Sequence, residues 1–121
     1  MSRLQYAINA LLGPACSLEQ AMQSCFTEDF RQRREGRWLS RQEFAAQIQS
    51  LRELAQAIRV TVLDEIVDAP RYAHRHVIEV TLHDGGILQR EVYVFAELAP
   101  DGRFRRIEEV SMDLGPAAAG P

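Results

Sequence analysis

The chain has 121 residues, 46% of them hydrophobic and 26% charged, with a formal net charge of −3. That length makes one domain and excludes two independent cores, and no apolar run approaches the ~20 residues of a membrane-spanning helix. All 14 basic residues are arginine, which excludes Schiff-base and phosphate-loop lysine chemistry, while the acidic balance argues against a dedicated nucleic-acid binder.

The first residues lack the apolar centre and small-residue cleavage site of a secretory signal, so the expected location is the cytoplasm. Cys16 and Cys25 then read as buried thiols. Leu4, Ile8, Leu11 and Leu12 recur at helical spacing, which predicts a helix over residues 3–12, ended by Gly13-Pro14. Ser17 and Gln20 form a capping box in front of a second helix, whose apolar face is Leu18, Ala21, Met22 and Cys25. Residues 27–39 have no clean period and are rich in arginine, and read as a loop holding a short strand. Ser40 and Glu43 form a second capping box, and Phe44, Ile48, Leu51 and Ala55 mark the longest helix, residues 41–57.

Beyond Ile58 the pattern turns to strand. Residues 59–67 are rich in β-branched side chains and close at Asp68-Ala69-Pro70. Residues 72–82 follow, with His74, His76, Ile78, Val80 and Leu82 on one face, before the hairpin turn Asp84-Gly85-Gly86. Residues 87–98 are apolar on both faces, as in a central strand covered on both sides, and the pattern leaves open which face points inward. Pro100-Asp101-Gly102 marks another hairpin, and residues 103–114 form the last strand. The tail from Gly115 to Pro121 has nothing to pack and is expected to be disordered.

Three helices followed by four longer strands predict an α+β fold, one domain over residues 1–114. Helices laid on one face of a curved, mostly antiparallel sheet enclose a cone. The other face is left partly apolar, and a homodimer through that sheet face would cover it.

Several segments, in this order, carry a resemblance. They are Cys25-Phe26-Thr27-Glu28-Asp29-Phe30, Glu35-Gly36-Arg37-Trp38-Leu39-Ser40-Arg41-Gln42-Glu43-Phe44, His74-Arg75-His76, His83-Asp84-Gly85, Val94-Phe95, and residues 101–109. The chain resembles the SnoaL-like branch of the nuclear-transport-factor-2-like superfamily, a cystatin-like α+β roll, over all but its tail. Enzymes of that superfamily include polyketide cyclases, ketosteroid isomerases, scytalone dehydratase and limonene epoxide hydrolase. The resemblance implies an apolar cone holding a small hydrophobic molecule, acid–base residues inside it, and neither a metal nor an organic cofactor. It implies no single reaction.

His76 shares its strand face with Ile78, Val80 and Leu82, so a group that titrates near neutrality points toward the interior. Glu109 falls where the closing strand of SnoaL-like proteins carries an acid, and by alternation it lies with Ile107 and Ser111. These two are the candidate catalytic pair. Cyclase-like members place a histidine two residues before that acid, and Ile107 stands here instead, which weighs against cyclase chemistry. Trp38 as a cavity wall, Tyr93 or Tyr72 as a phenol donor, and Arg105 as a stabiliser of negative charge complete the candidate site. Arg31, Arg33, Arg34 and Arg37, with Arg103, Arg105 and Arg106, form a basic rim that could steer an anion. His74, His76 and His83 do not share a face by alternation, so no metal site is expected. The reading is thus a cofactor-free isomerase, dehydratase, cyclase or hydrolase on a small apolar molecule. Its rival is a non-catalytic dimeric binding or protein-interaction module, marked by a cone filled by Phe44, Ile48, Trp38 and their neighbours.

Overall fold

The computed structural model describes residues 1–115; most of the tail expected to be disordered, residues 116–121, lies outside the described residues. Three helices, α1 (Arg3–Leu12), α2 (Leu18–Cys25) and α3 (Arg41–Leu54), pack on one face of a single sheet. Its strands are β1 (Phe26–Arg34), β2 (Arg37–Ser40), β3 (Ala55–Asp68), β4 (Arg71–Leu82), β5 (Ile87–Leu98) and β6 (Phe104–Asp113), in the order β2-β1-β6-β5-β4-β3. Every neighbouring pair is antiparallel except β1 with β6. The α+β class and the mostly antiparallel sheet expected from the sequence are both present.

Local chemistry accounts for the helix ends. The Ser17 hydroxyl accepts the Gln20 amide at 3.1 Å and the Gln20 side chain accepts the Ser17 amide at 3.0 Å; Ser40 and Glu43 do the same at 3.1 and 2.9 Å. Ser2 caps α1 by accepting the Gln5 amide at 3.0 Å. Each bond satisfies a donor that a helix N-terminus otherwise leaves orphaned. Arg52 on α3 donates to the carbonyls of Leu11 and Cys16 at 2.7 and 3.0 Å, tying α3 to the C-terminal end of α1.

The structure departs from the sequence reading at two places. Residues 27–39, read as a loop holding a short strand, contain all but the first residue of the nine-residue strand β1 and all but the last residue of β2, joined by a tight turn at Glu35-Gly36, both at positive φ (50° and 81°). The longest helix stops at Leu54, not 57, because Ala55 already pairs with Leu82 as the first residue of β3.

The core fills only part of the space between helices and sheet. Phe26, Phe30 and Phe44 pack with ring centroids 4.7–5.5 Å apart, and Phe104 joins Phe26 at 6.0 Å and Tyr72 at 5.3 Å. Such rings carry the largest apolar areas in a small core, and here they plug one end of the cone. Toward the other end the sheet and helices diverge and leave a cavity.

Candidate functional site

The cavity measures about 460 Å³ and lies between α1, α3 and the inner face of the sheet, within the ~300–1,000 Å³ range of small-molecule sites. Leu4, Ile8 and Leu11 of α1 and Phe44 and Ile48 of α3 form its helical wall, and Ile78, Val92 and Ile107 its sheet wall. Polar groups enter at two places. His76 comes from β4; Gln32, Arg34, Glu35, Arg90, Glu109 and Ser111 come from β1, its turn, β5 and β6.

Strand register sets the distance between them. His76 pairs with Val92, which pairs with Ser111, whereas Glu109 pairs with Val94. The two candidate residues are therefore two strands and two residues apart, roughly 12 Å between Cα atoms on a flat sheet. Their side chains face one cavity across Val92, too far for a direct hydrogen bond but spaced to meet different atoms of one small molecule.

Each is electrostatically displaced. His76 is 3% exposed, and burial, with the neighbouring His74 second, lowers its pKa to about 4, so the ring is neutral at pH 7. Burial raises the Glu109 pKa above the ordinary carboxyl value, with Glu35 adding to the rise; Arg34, the Gln32 hydrogen bond and Arg90 oppose it. Gln32 donates to Glu109 Oε1 at 2.7 Å, and Arg34 donates to Gln32 Oε1 at 3.2 Å and to Gln47 at 3.0 Å, so the carboxyl is hydrogen-bonded by a neutral amide that Arg34 holds in place. Glu35 accepts the Ser111 amide at 2.7 Å, and Arg90 donates to the Ser111 hydroxyl at 3.0 Å at the cavity mouth.

The other three predicted site residues lie outside this cavity, on the opposite face of the sheet. Trp38 pairs with the outward Arg33 across β2 and β1, is 41% exposed, and carries the Arg31 guanidinium 4.3 Å above its ring. Tyr93 alternates with the inward Val92 and Val94 and donates to Glu91 on the outer face. Arg105 is the extra residue of a β-bulge, since Glu97 pairs with Arg106 and Leu98 with Phe104. The bulge turns Arg105 out to Glu97, 3.7 Å away.

The predicted basic rim is likewise dispersed. Of its seven arginines only Arg34 lines the cavity; Arg33 pairs with Glu108 at 3.4 Å, Arg106 with Glu97 at 3.5 Å and Arg103 with Asp101 at 2.8 Å. Tyr72 is buried beneath α1, donating to Glu65 and accepting the Leu4 amide at 3.0 Å, and does not line the cavity. Phe44 and Ile48 form cavity wall, not filling. His83 lies in the β4–β5 turn, away from His74 and His76, and among the described residues no cluster of three His, Cys, Asp or Glu is arranged to hold a metal.

Gln32 was missed from the sequence, and Arg34 was read only as part of a rim, not as a group inside the cone. Alternation from Phe30 would have turned Gln32 and Arg34 inward had residues 27–39 been read as strand, and Arg90 follows from the inward Val92.

Neither a protein-family profile nor a curated protein sequence matches the chain significantly. Solved structures do match. An NTF2-like protein of unknown function from Exiguobacterium sp. 255-15 superposes with a TM-score of 0.72 at 14% identity, covering 92% of this chain and 98% of that one. The fold is NTF2-like. IdmH of Streptomyces antibioticus, proposed to be a polyketide cyclase, shares this NTF2-like fold with a TM-score of 0.72 at 14% identity over 90% and 88% of the two chains. A SnoaL-like protein of Jannaschia sp. CCS1, also proposed as a polyketide cyclase, gives 0.66 at 12% identity over 90% and 85%. Identities this low establish the NTF2-like fold and leave the reaction to the residues of the site.

Proposed function

We propose that this protein binds a small, mostly apolar organic molecule in the cone and moves a proton on it, with His76 and Glu109 as the acid–base pair and no cofactor. The observation that carries the reading is the cavity itself: an apolar wall interrupted by a neutral imidazole on one side and a carboxyl of raised pKa on the other. Paired groups whose environments push their titrations away from ordinary values are how one site supplies both an acid and a base near neutrality.

The chemistry suits a carbonyl compound with an acidic C–H. A nitrogen of neutral His76 takes the proton from carbon, while Glu109, in the protonated form that its burial favours, donates a hydrogen bond to the carbonyl oxygen as it gains negative charge. Gln32 engages only Oε1, which leaves Oε2 as the oxygen to carry that proton. Arg34 and Arg90 at the same end favour the developing charge. Isomerisation, dehydration and ring closure all begin with this step.

The test is exchange of the α-hydrogens of 2-tetralone for deuterium in D2O, followed by mass spectrometry. Wild-type protein should accelerate exchange over buffer, and His76→Gln and Glu109→Gln should each lose the acceleration. Variants as fast as wild type would sink the assignment, and a wild type no faster than buffer would sink the reaction class for this ketone.

A second proposal concerns the outer sheet face, where Phe95 is 74% exposed, Val110 54% and Met112 51%. Exposed apolar side chains interleaved with Glu91 and Glu108, with Arg31, Arg33 and Arg106 beside them, are the composition of a self-association face. The homodimer through the sheet rests on that surface.

A further inference from the structure

Two guanidinium groups, Arg34 of β1 and Arg90 of β5, line the polar end of the cavity. The Arg34 head is held by neutral oxygens, donating to Gln32 Oε1 at 3.2 Å and to Gln47 Oε1 at 3.0 Å. Arg90 donates through Nε to the Ser111 hydroxyl at 3.0 Å. Among the described residues neither head forms an ion pair, whereas Arg33, Arg75, Arg103, Arg105 and Arg106 all do. The acidic neighbours are turned elsewhere. Asp113, across from Arg90 in the β5–β6 register, accepts the Gly115 amide at 2.7 Å. Glu35 accepts the Ser111 amide at 2.7 Å, and Glu109 accepts from Gln32 at 2.7 Å.

Arg90 is the better placed of the two to meet a ligand. It shares the inner face of β5 with Leu88 and Val92 and pairs with Ile78 of β4, all three of them cavity lining. Its stem therefore crosses apolar wall while its head stands at the exposed mouth. The Ser111 bond draws that head along β6 toward Glu109, and His76 is one strand and two residues away, roughly 8 Å between Cα atoms. With Nε engaged, both Nη atoms are without a protein partner among the described residues, and they form a planar fork that matches the two oxygens of a carboxylate. The Ser111 hydroxyl accepts from Arg90 and has only a 3.4 Å contact with Glu35 for its own hydrogen, so it is a second donor beside the fork.

Charge points the same way. The chain as a whole carries −3, yet this end sets Arg34 and Arg90 against Glu35 and a Glu109 whose burial favours the neutral acid. With Glu109 protonated, two positive groups face one negative group, and the surplus is the complement of a monoanion.

We propose that the ligand of the cone is a carboxylic acid with an apolar body, its carboxylate held at the mouth by the Arg90 fork and the Ser111 hydroxyl. The proposal deepens the reading of the cone as a small-molecule site and rests on it. The body lies against Ile78, Val92 and Ile107, and a carbonyl on that body comes to His76 and Glu109, so the substrate class is an apolar oxo-acid. An apolar wall accepts any molecule of suitable size; a charge-assisted pair at the rim selects acids among them and makes the apolar end enter first.

Two probes of one shape separate charge from fit: 2-naphthaleneacetate and the neutral 2-naphthaleneacetamide, titrated at pH 7 while the isoleucine and valine methyls are read by NMR. Both should shift Ile78, Val92 and Ile107. The acid should bind at least about tenfold more tightly, an advantage that shrinks as salt is raised. Arg90→Gln should abolish the advantage and leave the affinity for the amide unchanged, and Arg90→Lys should restore part of it. Arg71→Gln removes the same charge from the exposed start of β4 and should keep the advantage whole. Equal affinities in wild type, or an advantage that survives Arg90→Gln, would overturn the proposal and leave the cone a small-molecule site. Cavity methyls unmoved by either probe would overturn the pocket reading and this inference together. Because binding is read without turnover, an acid preference that depends on Arg90 stands even where 2-tetralone exchange fails and the acid–base reading falls.

Discussion

Replacing His76 by glutamine should change how stability depends on pH. The wild-type ring is buried and its pKa is lowered from 6.5 to about 4 by burial and by His74. In the unfolded chain it titrates at the ordinary value, so below pH 6.5 the unfolded state binds a proton that the folded state refuses. The stability contributed by the neutral ring is therefore complete above about pH 6.5 and is lost as pH falls toward 4. Between pH 7 and pH 5 that linkage removes about 2 kcal/mol from wild type, a large share of a small domain's stability. Glutamine can still donate to or accept from His74 Nδ1 and does not titrate. Glu109, whose displacement runs the opposite way, is common to both proteins and cancels in the comparison. Urea denaturation of both proteins at pH 7 and pH 5 measures the difference: wild type should lose about 2 kcal/mol more than His76→Gln. Equal losses would mean that His76 is solvated in the folded protein, and the buried acid–base site would fall with it.

Glu109→Gln should gain stability relative to wild type as pH rises from 5 to 8, because the buried carboxyl favours folding only while protonated and its contribution is lost as pH climbs; parallel pH curves would contradict a displaced Glu109. Tyr72→Phe strips the Leu4 amide of a buried acceptor and Glu65 of a donor, and should cost about 1–3 kcal/mol in the same denaturation assay; an unchanged midpoint would remove Tyr72 from the network. Phe95→Glu places a charge in the middle of the outer apolar face and should convert a dimer to a monomer in sedimentation velocity with the fold intact by circular dichroism. A wild-type monomer, or a variant that stays dimeric, would refute association through that face.

What was legible in the sequence was the part governed by local chemistry. Capping boxes at Ser17 and Ser40, the apolar faces of the helices and the glycine turns report on a few residues each, and they appear where read except for Ala55, which belongs to β3. The inward register of Glu109 with Ile107 and Ser111 followed from simple alternation. β1 was hidden for a physical reason: its inward positions past Phe30 are Gln32 and Arg34. Strand periodicity is carried by hydrophobicity, and a strand that lines a polar end of a cavity loses that signal at the polar positions. The inner face of β5 was ambiguous because Val92 and Val94 face the cavity while Tyr93 and Phe95 form the outer apolar surface. Trp38 and Arg105 were misplaced because a four-residue edge strand and a bulge take their orientation from partners far away in sequence.

Methyl NMR during a titration with 2-tetralone tests whether a small organic molecule sits between His76 and Glu109. A ligand in the cone should shift Val92, Ile78 and Ile107, which line the cavity, and leave Val77 and Val110 on the outer face unmoved. Shifts confined to the outer face, or cavity methyls unmoved at saturating ketone, would contradict it.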